Sequence, residues 1–107
     1  MGSPAFLPPE LCAAEIPRLN GPAIDIWTLG VTLYFFIFGR CPFVGENEMQ
    51  IFENIRLKDI EFPKEINNDL KDLILLLLQK EPEKRPTIRQ IKKHPWTKIA
   101  GAEKNGY

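Results

Sequence analysis

Residues 22–38 read Pro-Ala-Ile-Asp-Ile-Trp-Thr-Leu-Gly-Val-Thr-Leu-Tyr-Phe-Phe-Ile-Phe, and Gly39 follows. Pro22 suits the first turn of a helix, and Asp25 is expected in that turn, where a carboxylate complements the helix dipole. Gly39 is placed to stop the helix in a left-handed cap. Residues 31–38 are aromatic enough to compete as a strand, but the Pro-x-x-Asp start favours helix. Apolar side chains cover all sides of this segment, and a helix of that kind belongs in a protein core or in a membrane. The nearly uncharged stretch Ile26–Gly39 is shorter than the about 20 residues a bilayer span needs. The segment is therefore expected to be a central core helix.

Prolines punctuate the chain on either side of it, because proline cannot continue a helix from within. Residues 8–14 read as a short helix with Glu10 in its first turn, followed by a loop over 15–21. Beyond Gly39, Arg40–Gly45 is a loop. Asn47–Leu57 is an amphipathic helix with Met49, Phe52 and Ile55 on one face. Phe62-Pro63 is extended, since the residue before proline is pushed out of the helical region. Asn68 is placed to cap a helix whose Leu70, Leu73, Ile74, Leu77 and Leu78 follow helical spacing, with Lys80 in its last turn and Pro82 ending it. Thr87-Ile88-Arg89-Gln90 matches the capping box that opens a helix. Lys92, Lys93 and His94 fall at its end, and Pro95 stops it. The fold class expected is all-α.

The charge balance is 14 basic to 14 acidic residues in 107, which gives no general pull toward nucleic acid or an anionic membrane. The first residues lack a basic region followed by an apolar one, so no secretory signal is expected, and the cytoplasm or nucleus is the expected location. Two cysteines, Cys12 and Cys41, are too few for a disulfide scaffold. With one histidine, His94, there is no Cys/His zinc spacing.

Singly, each polar feature has a plain structural reading. Asp25 stabilises a helix start, Trp27 is core, Glu10 and Arg85 are solvated charges, and Lys92-Lys93 is a solvated helix end. In order, they form a pattern. Residues 2–10, Gly-Ser-Pro-Ala-Phe-Leu-Pro-Pro-Glu, resemble the protein-kinase segment Gly-Thr-x-x-Phe/Tyr-x-Ala-Pro-Glu. Asp25-Ile26-Trp27-Thr28-Leu29-Gly30 resembles Asp-x-Trp-Ser-x-Gly. Gly39–Phe43 resembles Gly-x-x-Pro-Phe, Arg85-Pro86-Thr87 resembles the late Arg-Pro-Thr/Ser, and His94-Pro95-Trp96 resembles the His-Pro-Trp/Phe that closes many serine/threonine kinase domains. The resemblance covers about residues 2–96. Pro4-Ala5-Phe6 is most similar to calcium/calmodulin-dependent kinase kinases and to the fungal kinases that activate the AMP-activated kinase homologue.

The resemblance implies a fold, the C-terminal helical portion of the kinase large lobe, with residues 1–99 a partial kinase domain and 100–107 a tail. It implies that Ser3, Pro4, Phe6 and Leu7 belong to the floor that docks the peptide residue after the phosphorylated Ser/Thr. Ser3 takes the place of a threonine whose hydroxyl contacts the catalytic aspartate and a nearby lysine. Pro8 replaces the usual alanine and stiffens the loop. Glu10 is implied to pair with Arg85 and pin the floor to the base of the lobe. Asp25 is implied to hold the backbone of the catalytic loop, and Trp27 to pack beneath the docking segment.

Phosphoryl transfer in this family needs a glycine-rich loop, a strand lysine paired with a helix glutamate, a catalytic-loop aspartate and asparagine, and Asp-Phe-Gly for magnesium. None of these occurs in the 107 residues. The expectation is a serine/threonine kinase fragment that is inactive alone: no catalytic, cofactor-binding or metal-binding residues, and ATP and Mg only in the intact family. The second reading is a non-catalytic module that binds a protein substrate or regulator through the docking surface. Neither nucleic acid nor membrane is an expected partner. Without neighbours for the central helix, part of its apolar surface is expected to face water and to favour self-association.

Overall fold

The computed structural model describes residues 4–12 and 20–98, and among these every regular element is helical. A 3-10 turn at Pro4–Phe6 leads into α1 (Pro9–Cys12). The long α2 (Gly21–Phe38) follows, then α3 (Glu48–Leu57) and α4 (Asn68–Leu77). A second 3-10 turn at Pro82–Lys84 precedes α5 (Ile88–Lys92), and residues 95–98 make one more helical turn. Of the short helix expected over 8–14, residues 13 and 14 lie outside the described residues, as do 15–19 of the loop after it.

Asn20 caps α2 by accepting from the Ala23 amide, and Gly39, at φ 73°, closes it with its own N–H on the Phe35 carbonyl. The helix begins one residue before Pro22, so Asp25 falls in the second turn and not the first. Its buried residues are Ala23, Ile26, Trp27, Gly30, Val31 and Tyr34, a single stripe at helical spacing. Burial on all sides is therefore not what the chain builds: Leu29 and Phe35 are 42% and 46% exposed and Phe36 is 83% exposed. The described elements pack on one side of α2 only, which leaves the opposite apolar side uncovered.

The length that set the membrane aside also needs correction. As folded, α2 has 18 residues and is long and apolar enough to cross a membrane by length and composition. Its packing is what makes it a core helix: Trp27, Val31 and Tyr34 are at most 1% exposed, and helix α4 lies against it. The crossing is at Gly30, where a Cβ would come within 2.8 Å of Leu77 Cβ and Leu78 Cδ2. Only glycine allows so close an approach without displacing α4. Leu73, Ile74 and Leu77 supply the facing side of α4.

Helix α3 is capped by Asn47, which accepts from the Gln50 amide at 2.8 Å. Ile55 is fully buried, whereas Met49, expected on the same face, is 79% exposed. The first turn of α3 overhangs the core, so helical spacing alone does not bury Met49. The cap of α4 is Asn67, whose side chain accepts from Asp69 and Leu70 amides, not Asn68, which is the first helical residue. The helix ends at Leu77 with Leu78 as its cap, so Lys80 lies beyond the last turn. The Thr87–Gln90 capping box is present with both reciprocal bonds. Pro95 does not end helical structure: it opens the turn 95–98, a first-turn position proline tolerates.

Two apolar clusters result. The larger unites Trp27, Val31, Tyr34, Phe43, Ile55, Ile74 and Leu78. Tyr34 donates its hydroxyl to the Glu61 carbonyl at 2.6 Å, which fixes the extended Glu61-Phe62 stretch beside α2. The smaller unites Ile26, Leu73 and Leu77, with Ile91 and Trp96 against it.

Candidate functional site

The segment from Pro4 to Cys12 is held to the core by two kinds of contact. Ala5, Pro8 and Pro9 are buried, and Phe6 packs against the large cluster. The backbone is folded locally: Leu7 N–H donates to Pro4 O at 3.2 Å and Leu11 N–H to Pro8 O at 3.0 Å. Pro4, Phe6 and Leu7 are each half-buried, so they form an apolar surface that is supported from below and open above. Ser3 lies outside the described residues.

The second contact is ionic. The Glu10 carboxylate receives Arg85 Nη2–H at 2.7 Å and Nη1–H at 2.8 Å, a two-pronged pair. The two side chains are 0% and 7% exposed for arginine and glutamate. A guanidinium has five N–H donors and no acceptor, and all five are used here: Nε on the Gln79 carbonyl, Nη1 also on the Ala23 carbonyl, and Nη2 also on the Lys80 carbonyl. A buried charge is tolerated when its pairing and hydrogen bonding are complete, and that condition is met. Arg85 thereby joins α1, the start of α2 and the loop that follows α4.

Trp27 sits at the centre. The Arg85 guanidinium lies 5.0 Å from its ring, and Phe43 stacks on it with centroids 6.1 Å apart and planes 10° apart. On Phe43 lies the ammonium of Lys80, 4.4 Å from the ring, which also donates to the Ile55 carbonyl at 2.5 Å. The order Arg85, Trp27, Phe43, Lys80 thus places two stacked rings between two cations, each cation over one ring, an arrangement each ring quadrupole favours. Burial pushes the Lys80 ammonium below the ordinary lysine range, with Asp59 the largest opposing influence. Trp27 Nε1 has no acceptor among the described residues although it is fully buried.

Of the residues singled out in the sequence, Glu10, Arg85 and Trp27 are brought together. Asp25 is exposed on α2 and takes no part in the ion pair, although it lines a cleft of about 440 Å³ that also touches Arg85, Pro86 and Ile88. Phe43 entered the sequence reading only as part of a motif, and Lys80 only as a helix-end charge. Neither Lys80's place on the ring nor the three carbonyls around Arg85 has a sequence signal, because these contacts depend on how distant elements meet. Among the described residues no group of three or more His, Cys, Asp or Glu side chains could hold a metal ion. No catalytic step is assigned to these residues.

A buried arginine–carboxylate fork thus pins a short loop to a helical core. The chain belongs to the protein kinase family: the protein kinase domain matches residues 1–97, and the all-helical architecture is that of the C-terminal part of the large lobe. It is 46% identical over 102 residues to a probable serine/threonine-protein kinase of Dictyostelium discoideum, covering 94% of this chain and 15% of that protein. It is 39% identical over 102 residues to the calcium/calmodulin-dependent protein kinase kinase cmkC of Emericella nidulans, covering 95% of this chain and 20% of the relative. The serine/threonine-protein kinase ssp1 of Schizosaccharomyces pombe is 42% identical over 102 residues, covering 91% and 16%. The chain thus spans 15% to 20% of the length of these curated relatives.

Proposed function

We propose that residues 1–99 serve as the substrate-docking part of a serine/threonine kinase domain, with 100–107 a tail outside it, and that Ser3, Pro4, Phe6 and Leu7 form the floor for the peptide residue after the phosphorylated Ser/Thr. The observation that carries this reading is the Glu10–Arg85 fork. It fixes the backbone just after Pro4–Leu7, so that an apolar surface is presented in one geometry. Pre-setting a binding surface lowers the ordering cost that a peptide's affinity must overcome. Asp25, exposed on α2, is read as the contact for catalytic-loop backbone supplied by other residues of a complete lobe. Alone, the chain is catalytically inactive, and its reaction belongs to the intact family, where ATP and magnesium supply the phosphoryl group and its charge neutralisation. The cytoplasm or nucleus fits this role.

The test uses the purified 107-residue chain with ATP, magnesium and a set of serine- and threonine-containing peptides. The reading expects no saturable ATP binding by calorimetry and no phosphate transfer. Either signal overturns it. Peptide binding without transfer, lost on changing Phe6 and Leu7 to serine, favours the same surface working as a non-catalytic binding module.

A further inference from the structure

His94 is the only histidine and plays no part in the docking floor. It is 8% exposed, and both ring nitrogens are engaged. Nε2 lies 2.8 Å from Asp72 Oδ2 of α4. Nδ1 receives the backbone N–H of Trp96 at 3.1 Å, while the His94 carbonyl receives the Lys98 N–H at 2.9 Å. His94 is thus the cap of the turn 95–98, with its ring in the part an Asn or Asp side chain ordinarily takes.

These bonds fix where the ring hydrogen sits. A backbone amide only donates, so Nδ1 accepts and carries no hydrogen; the neutral ring's one hydrogen is on Nε2 and points at Asp72. Adding a proton to the ring places it on Nδ1, the only vacant nitrogen. The Trp96 N–H then faces another N–H, and the cap is lost, while Nε2–H keeps its bond to Asp72. The charged groups nearby are Asp72 on α4, exposed Lys92 and Lys93 just before the ring, and Lys98 on the turn. The side chains contributed by α2 and α4 to this corner, Ile26, Leu73 and Leu77, are apolar.

We propose that His94 is a proton-operated latch on the C-terminal turn. With the neutral ring, the turn is capped and Trp96 rests on Ile26, Leu73 and Leu77. With a proton taken from solvent onto Nδ1, the cap opens and residues 95–98 come away, while α5 remains braced to α4 through Asp72. This latch does not depend on the kinase reading.

The experiment is nitrogen-15 NMR of the full chain, in solution or, if the chain self-associates, in the solid state. The neutral ring is expected to show its hydrogen on Nε2. As the ring gains its proton, the Trp96 amide is expected to shift in step and to lose hydrogen-exchange protection by about fivefold, the size of a lost N-cap, with the Trp27 indole signal unchanged. In His94→Asn, whose side-chain oxygen accepts from the same amide but takes no proton, that pH dependence is expected to vanish. A neutral ring with its hydrogen on Nδ1 overturns the proposal. So does a Trp96 amide indifferent to the ring's charge, an equal loss of protection in His94→Asn, or loss at Trp27 in parallel, which would mark general acid unfolding.

Discussion

Arg85 holds Glu10 with two parallel bonds, 2.7 and 2.8 Å long, across 75 positions of sequence. Its remaining donors close on the carbonyls of Ala23, Gln79 and Lys80. Removing either partner strands a buried charge, and such losses cost about 3–5 kcal/mol. Arg85→Ala is therefore expected to lower the melting temperature sharply in circular dichroism. Arg85→Lys is expected to recover little, because an ammonium cannot fork onto a carboxylate and reach three carbonyls at once. A melting curve unchanged by Arg85→Ala would remove the fork from the account of this fold.

Gly30 marks the closest approach of α2 and α4. Alanine favours a helix interior over glycine by up to about 1 kcal/mol, but here its Cβ would lie 2.8 Å from Leu77 Cβ. Overpacking costs about 1–3 kcal/mol, so Gly30→Ala is expected to destabilise. A urea midpoint at or above the wild-type value contradicts the close crossing.

Lys80 sets up a pH dependence whose sign follows from burial. Its folded ammonium sheds its proton below the ordinary lysine range, so between that depressed value and the ordinary one the unfolded chain binds more protons. Stability from this group rises with pH across that window. Cys12, Cys41 and Tyr34 are raised by burial and slope the opposite way. The difference between wild type and Lys80→Met isolates the lysine: the wild-type urea midpoint is expected to gain on the variant's as pH climbs through the window. A constant difference between the two would rule out a desolvated ammonium over Phe43.

Phe36, at 83% exposure, and Leu29, at 42%, lie on the side of α2 that no described element covers. The chain is expected to self-associate through them, and the double change Leu29→Ser with Phe36→Ser to reduce association in sedimentation velocity while keeping the helical spectrum. A monomeric wild type, or a double variant that associates equally, speaks against this surface as the cause.

The helices were legible where the signal is local. Pro22 in the first turn of α2, the Thr87–Gln90 box and Gly39 each act within a few residues, and each stands where expected. Asn67 and Asn68 were not separable, because adjacent asparagines offer the same cap chemistry and only the entry angle of the chain chooses between them. Met49 shares the spacing of Ile55, but periodicity gives a helix face and not how far along it the core extends. For the candidate site, the nearness of Glu10 to Arg85 came from the order of family motifs, since nothing in composition or spacing couples positions so far apart. The Asp72–His94 bond had no such guide. Asp72 drew no reading from the sequence, and His94 read only as one of three basic residues at the end of the last helix.

The Glu10–Arg85 fork also has a place in time. Its residues lie at nearly opposite ends of the described chain, so a long loop must close before the pair forms, and that closure is costly in entropy. Contacts within each helix need no such closure, and the α2–α4 crossing of Gly30 with Leu77 closes a shorter loop. The order of assembly expected from this has α2 and α4 meeting at Gly30 before the segment Pro4–Cys12 is clipped down. A contact made last is one whose loss hastens unfolding more than it slows folding. Arg85 is therefore expected to act as a slow-release catch, setting how long the segment Pro4–Cys12 stays down once folded.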